Sequence, residues 1–240
     1  MTDKNPDRPA GTPVPNWIPP PAPSGDVLEG RYARLEPLSP DAHAALLFRA
    51  YQGHDALWDY MPYGPFSSVA QYHRWVSDTV ADTGHFFYAI RNLESGMFEG
   101  VASYLRIAPA MGSIEVGNIN YAPALQRTRA ATEAMALMMA WAFDAGYRRY
   151  EWKCNALNRP SRVAGQRLGL SYEGVFRNHL VVKGHNRDTA WFAAIDSEWP
   201  ALREAFRVWL DPANFDAGGR QIESLAALTR LIRVTSDPGL

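Results

Sequence analysis

A chain of 240 residues with 24 basic and 25 acidic side chains has the length of one domain with tails, and its net charge of −1 offers no field to draw in a polyanion, which argues against a nucleic-acid partner. The N-terminus lacks the basic-then-apolar pattern of a secretory signal, and no apolar run approaches the ~18 residues of a membrane span, so the expected setting is the cytoplasm with no membrane attachment. The single cysteine, Cys154, excludes an internal disulfide and a thiolate metal cluster, and is expected to be a buried structural thiol.

Residues 1–25 carry eight prolines and almost no periodicity. Such a segment cannot bury enough apolar surface to offset the entropy of ordering, so an extended or disordered arm is expected. Trp17 and Ile18 stand out within it: such a pair either packs on its own domain or a neighbour, or stays solvated. Residues 31–38 alternate as a half-buried strand. Ser39-Pro40-Asp41 then starts a helix, with a serine cap, proline in the first turn and an acid beside it, and Ala44, Leu47, Phe48 and Tyr51 fall on one face. The aromatic stretch 58–66 is broken by Pro62, Gly64 and Pro65, which predicts a loop; a loop this apolar either covers a binding site or plugs the core. Residues 68–82 read as a second helix. Three strands follow, 85–91, 98–107 and 112–121, joined by turns at 92–96 and 109–112.

The chain is organised around residues 115–133. Gly117 interrupts a strand-like run, predicting a bulge or a close backbone approach to a ligand. The run Gln126-Arg127-Thr128-Arg129-Ala130-Ala131-Thr132 opens a helix; unpaired N–H groups and the helix dipole converge there, making an anion site suited to phosphate. Ala131, Ala134, Met135, Met138 and Ala142 mark the core face of this helix, and Gly146 is placed to end it. A strand at 149–155, a short helix from Asn158 to Gly169, strands at 172–182 and 189–195 around a polar turn at 183–188, and a helix at 199–210 complete a mixed sheet covered by helices. In a C-terminal extension, 211–240, the recurrence of Ile222, Leu225, Leu228 and Leu231 or Ile232 predicts an amphipathic helix over 221–233. Its apolar stripe needs a partner, either its own domain or a second copy of the chain in a homodimer.

Gln126 and Ala131 at the ends of the helix-opening loop, then Asn158-Arg159-Pro160-Ser161, then Gln166-Arg167-Leu168-Gly169-Leu170 and Tyr172-Glu173-Gly174 together resemble the GNAT family of acyl-coenzyme A dependent N-acyltransferases. The branch is the one similar to ribosomal-protein N-terminal acetyltransferases of the RimJ/RimL kind, and the likeness runs from Gly30 to Trp199. Arg129 departs from the family pattern, in which glycine is commonest. The resemblance implies the GNAT α/β fold over 26–210, a mixed and mostly antiparallel twisted sheet with splayed central strands. It implies transfer of an acetyl or other acyl group from acetyl-CoA or another acyl-CoA to a primary amine of a small molecule, peptide or protein N-terminus, without a metal. The loop of Gln126, Arg127, Thr128, Arg129, Ala130, Ala131 and Thr132 would hold the coenzyme A pyrophosphate. Asn118, Ile119 and Asn120 would offer backbone groups to the pantetheine and thioester. Asn158 would contact the cofactor, and Ser161 is the candidate acid or thiolate stabiliser. Trp58, Tyr60, Tyr63 and Phe66, with His179, would fall on the amine side.

Amide-forming acyl transfer also needs a path for the amine proton. The branch often carries a glutamate after the Tyr172-Glu173-Gly174 turn, where this chain reads Arg177-Asn178-His179-Leu180. Glu115 acting directly or through water, Tyr121 as a hydroxyl donor, and His179 remain open, as does reaction without a dedicated base on an amine that arrives neutral. A coenzyme A-binding module that has lost catalysis is the reading of a different class. An unrelated nucleotide-binding enzyme is disfavoured, since the glycine-rich nucleotide fingerprints do not occur.

Overall fold

The computed structural model describes residues 11–240, so the first part of the expected arm lies outside the described residues. From 11 to 25 the arm has no helix or strand, yet it is docked on the domain. Trp17 sits over Gly112, where a Cβ would come within 2.5 Å of its ring, donates its indole N–H to the Ala110 carbonyl at 3.2 Å, and lies beneath the Arg148 guanidinium. The Tyr147 hydroxyl donates to the Pro21 carbonyl at 3.0 Å, whereas Ile18 stays exposed.

Eight strands make one sheet: β1 (Leu28–Glu29), β2 (Ala33–Pro37), β3 (His85–Asn92), β4 (Phe98–Ala108), β5 (Ser113–Tyr121), β6 (Arg149–Asn155), β7 (Ser171–Val182) and β8 (His185–Ile195). Their order is β1-β2-β3-β4-β5-β6-β8-β7, and among the described residues only β5 and β6 run parallel. Side chains alternate between two cores, as the pleat demands. Phe87, Ala89 and Val101 face α1 (Pro40–Tyr51) and α2 (Val69–Ala81), while Tyr88, Ile90, Ala102 and Tyr104 face α3 (Arg129–Asp144). Helices α4 (Arg159–Arg167), α5 (Trp199–Leu210) and α6 (Leu225–Thr229) extend the α3 side. Ser39, Ser68, Thr128 and Asn158 each accept a backbone N–H of the first turn they precede, which fixes the starts of α1 to α4. Helix α3 is also pinned to β2. The buried Glu133 carboxylate accepts the backbone N–H groups of Arg31 at 2.9 Å, Tyr32 at 2.6 Å and Ala33 at 2.7 Å.

Three expectations are corrected. The amphipathic helix over 221–233 forms only at Leu225–Thr229, because Ser224 caps it and the backbone before it bonds back to Asn214 and Phe215. Leu225 is buried and Leu228 and Ile232 pack on the core, so the stripe is covered by its own domain, with Ile222 and Leu231 left exposed. The polar turn 183–188 is only Lys183-Gly184, both with positive φ as a two-residue hairpin turn requires, so β8 begins at His185. The bulge foreseen at Gly117 sits one residue on. Gly117 pairs with Ser103 and Asn120 with Val101, which leaves Asn118 and Ile119 opposite Ala102, and Asn118 has φ 51°.

Candidate active site

The half that the resemblance assigns to the donor is made of backbone. Strands β5 and β6 pair from Ser113↔Arg149 to Val116↔Trp152 and no further, so Gly117–Tyr121 has no β6 partner and the sheet opens into a wedge. The bulge at Asn118 and Ile119 lies on that open stretch. Asn120 is less available: its carbonyl accepts the Tyr51 hydroxyl at 3.0 Å and its side chain is buried. At the end of β5, the Gln126 amide donates to the Tyr121 carbonyl at 3.0 Å, and Arg127 turns the chain with φ 61°. The Ala131 N–H is taken by Thr128 Oγ1 at 3.0 Å and the Thr132 N–H by the Thr128 carbonyl at 3.4 Å. Among the described residues the N–H groups of Arg127, Arg129 and Ala130 find no acceptor, so the anion-ready part of the loop is narrower than its whole length. The Arg129 side chain turns away. It pairs with Glu94 and lies over the rings of Tyr32 and Phe215, at 4.6 and 5.0 Å.

Helix α4 brings Asn158 and Ser161 to the β6 side. Asn158 Oδ1 accepts the Ser161 N–H at 3.2 Å, and Ser161 Oγ accepts the Trp152 indole N–H at 3.1 Å. Burial pushes the Cys154 thiol up, against a hydrogen bond from Ser161 that favours the thiolate. The helix is held from behind by the chain end, since Arg162 forks onto the buried Asp237 carboxylate at 2.6 and 2.7 Å.

The half that the resemblance assigns to the amine is made of side chains. Trp58 and Phe66 stack edge to face at 5.1 Å and both pack on Tyr72, so they plug the α1–α2 core. Tyr63 reaches the bulge instead. Its hydroxyl, kept protonated by burial, donates to Asn118 Oδ1 at 3.2 Å, and Asn118 Nδ2 donates to Ser103 Oγ at 2.9 Å. Tyr63 and Asn118 line a cavity of about 190 Å³ with Pro62, Trp75, Thr79, Asp82, His85 and Phe87. Asp82 and His85 were not foreseen, although Asp-x-x-His across a tight turn is a local signal that the pair can meet. Tyr60 bonds to the Leu157 carbonyl at 3.3 Å, and Lys183 to the Trp58 carbonyl at 2.9 Å, tying the aromatic loop to the β6–α4 loop and to the β7–β8 hairpin. His179 lies apart, bonded to Thr189 Oγ1 at 3.0 Å beside an open hollow with Phe176 and Asp188.

Glu115 points to the same sheet face but is engaged. Its side chain is 4% exposed, and Oε2 takes Arg106 at 2.8 Å and Lys153 at 3.0 Å; Lys153 also reaches Glu151 at 2.6 Å. Tyr121 is turned toward α3, its hydroxyl 3.4 Å from the Ala131 carbonyl and its ionisation opposed by burial. Among the described residues no group of three or more His, Cys, Asp or Glu is placed to hold a metal ion, and no helix is long and apolar enough to cross a membrane.

A family model described as an acetyltransferase (GNAT) domain matches residues 33–171. A GCN5-related N-acetyltransferase from Brucella melitensis is 43% identical with a TM-score of 0.88, over 90% of this chain and 100% of that one. A probable GNAT acetyltransferase from Chromobacterium violaceum is 38% identical with a TM-score of 0.77, over 81% of this chain and 98% of the other. The ribosomal α-N-protein acetyltransferase RimL, solved with coenzyme A, shares the fold at 18% identity and a TM-score of 0.62, over 72% of this chain and 99% of that one. No curated protein sequence matches the chain significantly. The matched domain, the relatives and the wedge beside an anion-ready helix start agree: this chain belongs to the GNAT family of acetyl-CoA-dependent N-acetyltransferases.

Proposed function

We propose that the protein transfers an acetyl group from acetyl-CoA directly to the primary amine of a small molecule or of a peptide or protein N-terminus. One observation carries this reading: Asn118 belongs to both halves of the site. It is bulged from β5 where that strand has left β6, and it also lines the small cavity with Tyr63. The coenzyme supplies the acyl group activated as a thioester. The free N–H groups of Arg127, Arg129 and Ala130 hold its pyrophosphate, the backbone at Asn118 and Ile119 polarises the thioester oxygen, and Ser161 meets the departing sulfur. Glu115, committed to two cations, serves as a fixed charge that shapes the cleft and not as the group that takes the amine proton. Tyr121 acts as a strut between β5 and α3. A cavity of about 190 Å³ is below the usual size of a drug-like site, so it admits the amine end of an acceptor and leaves the rest outside.

The test is transfer of isotope from labelled acetyl-CoA to a panel of dipeptides, longer peptides with free N-termini and small primary amines. Saturable transfer to one class supports the reading. Tight acetyl-CoA binding with no transfer to any class would establish the non-catalytic alternative.

A further inference from the structure

The cavity beside Asn118 has one wall that the assignments above leave without a task. His85 opens β3, and because β3 and β4 pair His85↔Leu105 and Phe87↔Ser103, its side chain falls on the same sheet face as Phe87, Ser103 and Gly117. Asp82 ends α2 just before it. The Asp82 carboxylate is itself anchored, accepting the Gly84 N–H on Oδ1 at 2.9 Å, and its Oδ2 lies 2.7 Å from His85 Nδ1. A carboxylate on Nδ1 fixes the ring's orientation and tautomer, leaving Nε2 as the basic nitrogen. The imidazole is only 35% exposed and also packs on Phe87, so it is neither free in solvent nor sealed in the core.

We propose that His85, oriented by Asp82, is the general base that takes the proton of the acceptor amine. This rests on the acetyl-transfer reading and supplies the group that reading lacks. Both His85 and Asn118 line a cavity so small that one amine bound in it lies within direct or one-water reach of both. The other candidates are engaged elsewhere: Glu115 by Arg106 and Lys153, His179 by Thr189, and the buried His43 by the Ser39 N–H at 3.0 Å and by Glu36. From α2 His85 faces Asp82, and from the aromatic loop Tyr63; its β4 neighbour is the uncharged Leu105, beyond which Glu115 is already held.

The step balances. Neutral Nε2 removes a proton from the ammonium, and the freed nitrogen pair forms the C–N bond to the thioester carbon. The C–S bond then breaks and the thiolate takes the second amine proton, while the imidazolium, beside Asp82, releases the first to solvent. The Asp82 carboxyl lies below the usual carboxylate range, through the Gly84 N–H first and His85 second, and so stays charged opposite that imidazolium.

The test uses the full chain and the acceptor class found by isotope transfer. His85→Gln should lower kcat/KM by ~10²–10³-fold and remove its one-proton acid limb, with acetyl-CoA affinity by calorimetry within twofold of wild type. Asp82→Asn should lower kcat with the same affinity for acetyl-CoA, and added imidazole should restore part of the rate to His85→Ala. Turnover of His85→Gln within threefold of wild type with the acid limb intact would overturn the assignment while leaving acetyl transfer standing. So would a loss matched by an equal loss of acetyl-CoA binding. A wild-type protein that binds acetyl-CoA yet acetylates no amine would overturn both readings.

Discussion

The two halves of the proposed site are made of different material. On the donor side the free groups belong to the main chain: three N–H groups in and just before the first turn of α3 and a strand edge that β6 has left. On the amine side they belong to side chains, namely Tyr63, Asn118, Asp82 and His85 around one cavity. Main-chain groups are indifferent to the side chain above them provided it can turn away, which is how Arg129 stands where the family most often has glycine. Its guanidinium goes to Glu94, Tyr32 and Phe215, behind the loop. The amine side has no such indifference, and changes there should alter which acceptor is used.

The largest effect expected on the donor side acts through the fold. Asp237→Asn leaves Arg162 facing a neutral amide with one acceptor in place of its charged, forked partner behind α4, and uncompensating a buried charge in this way costs about 3 kcal/mol. Burial opposes ionisation of Asp237, but the Arg162 fork and the Gly239 N–H outweigh it and hold the carboxyl below the usual range. A depressed acid stabilises the fold above its unfolded titration and loses that contribution as pH falls through its folded one. The difference between wild type and variant in urea midpoints should be complete at pH 7 and shrink below roughly pH 4. In the aromatic core plug behind the cavity, Phe66→Ala should cost about 3 kcal/mol, a fall of roughly 6–12 °C in melting temperature, with acceptor kinetics unchanged. Altered acceptor selectivity in that variant would place Phe66 in the pocket wall and not in the core plug described above.

Two smaller effects sharpen the contrast. Arg129→Ala and Arg129→Pro both lose the guanidinium, but only proline deletes the N–H. Position N1 accepts proline without strain, and the extended Thr128 before it suits a following proline. Arg129→Pro should bind acetyl-CoA ~10-fold more weakly than Arg129→Ala at equal thermal stability. Equal affinities in calorimetry would take that N–H out of the anion site. Tyr63→Phe, the mildest change, removes one hydroxyl from Asn118 and should raise the acceptor KM by no more than about 10-fold while leaving acetyl-CoA affinity alone.

The same division decided what could be read from the sequence. Helix starts were legible because Ser39, Ser68 and Asn158 are cap residues whose role is local, and β2 because the alternation over 31–38 is local too. The helix start after Gln126 was legible for the same reason, although Thr128 Oγ1 takes the Ala131 N–H, which depends on a side-chain rotamer. An ion pair at Glu115 was one of two open readings, but which cations would take it was not legible, since Arg106 and Lys153 come from two other strands. Nor was the separation of Tyr63 from Phe66: both are aromatics in one loop, and only the packing of α2 beneath them decides which one faces Asn118. The length of α6 was misjudged because periodicity alone ignores the bonds that residues 221–223 make to Asn214 and Phe215.

The attachment of Glu133 to Arg31, Tyr32 and Ala33 gives the donor site a readout at a distance. Those three amides lie on the stretch entering β2, near the sheet edge, where hydrogen exchange is ordinarily fast, yet each is held by a carboxylate on the helix that opens with the anion loop. A ligand that steadies the first turn of α3 makes opening of that helix rarer, and with it the release of the β2 amides. Deuterium uptake at residues 31–33 should therefore slow when acetyl-CoA binds, although nothing in that segment need touch the ligand.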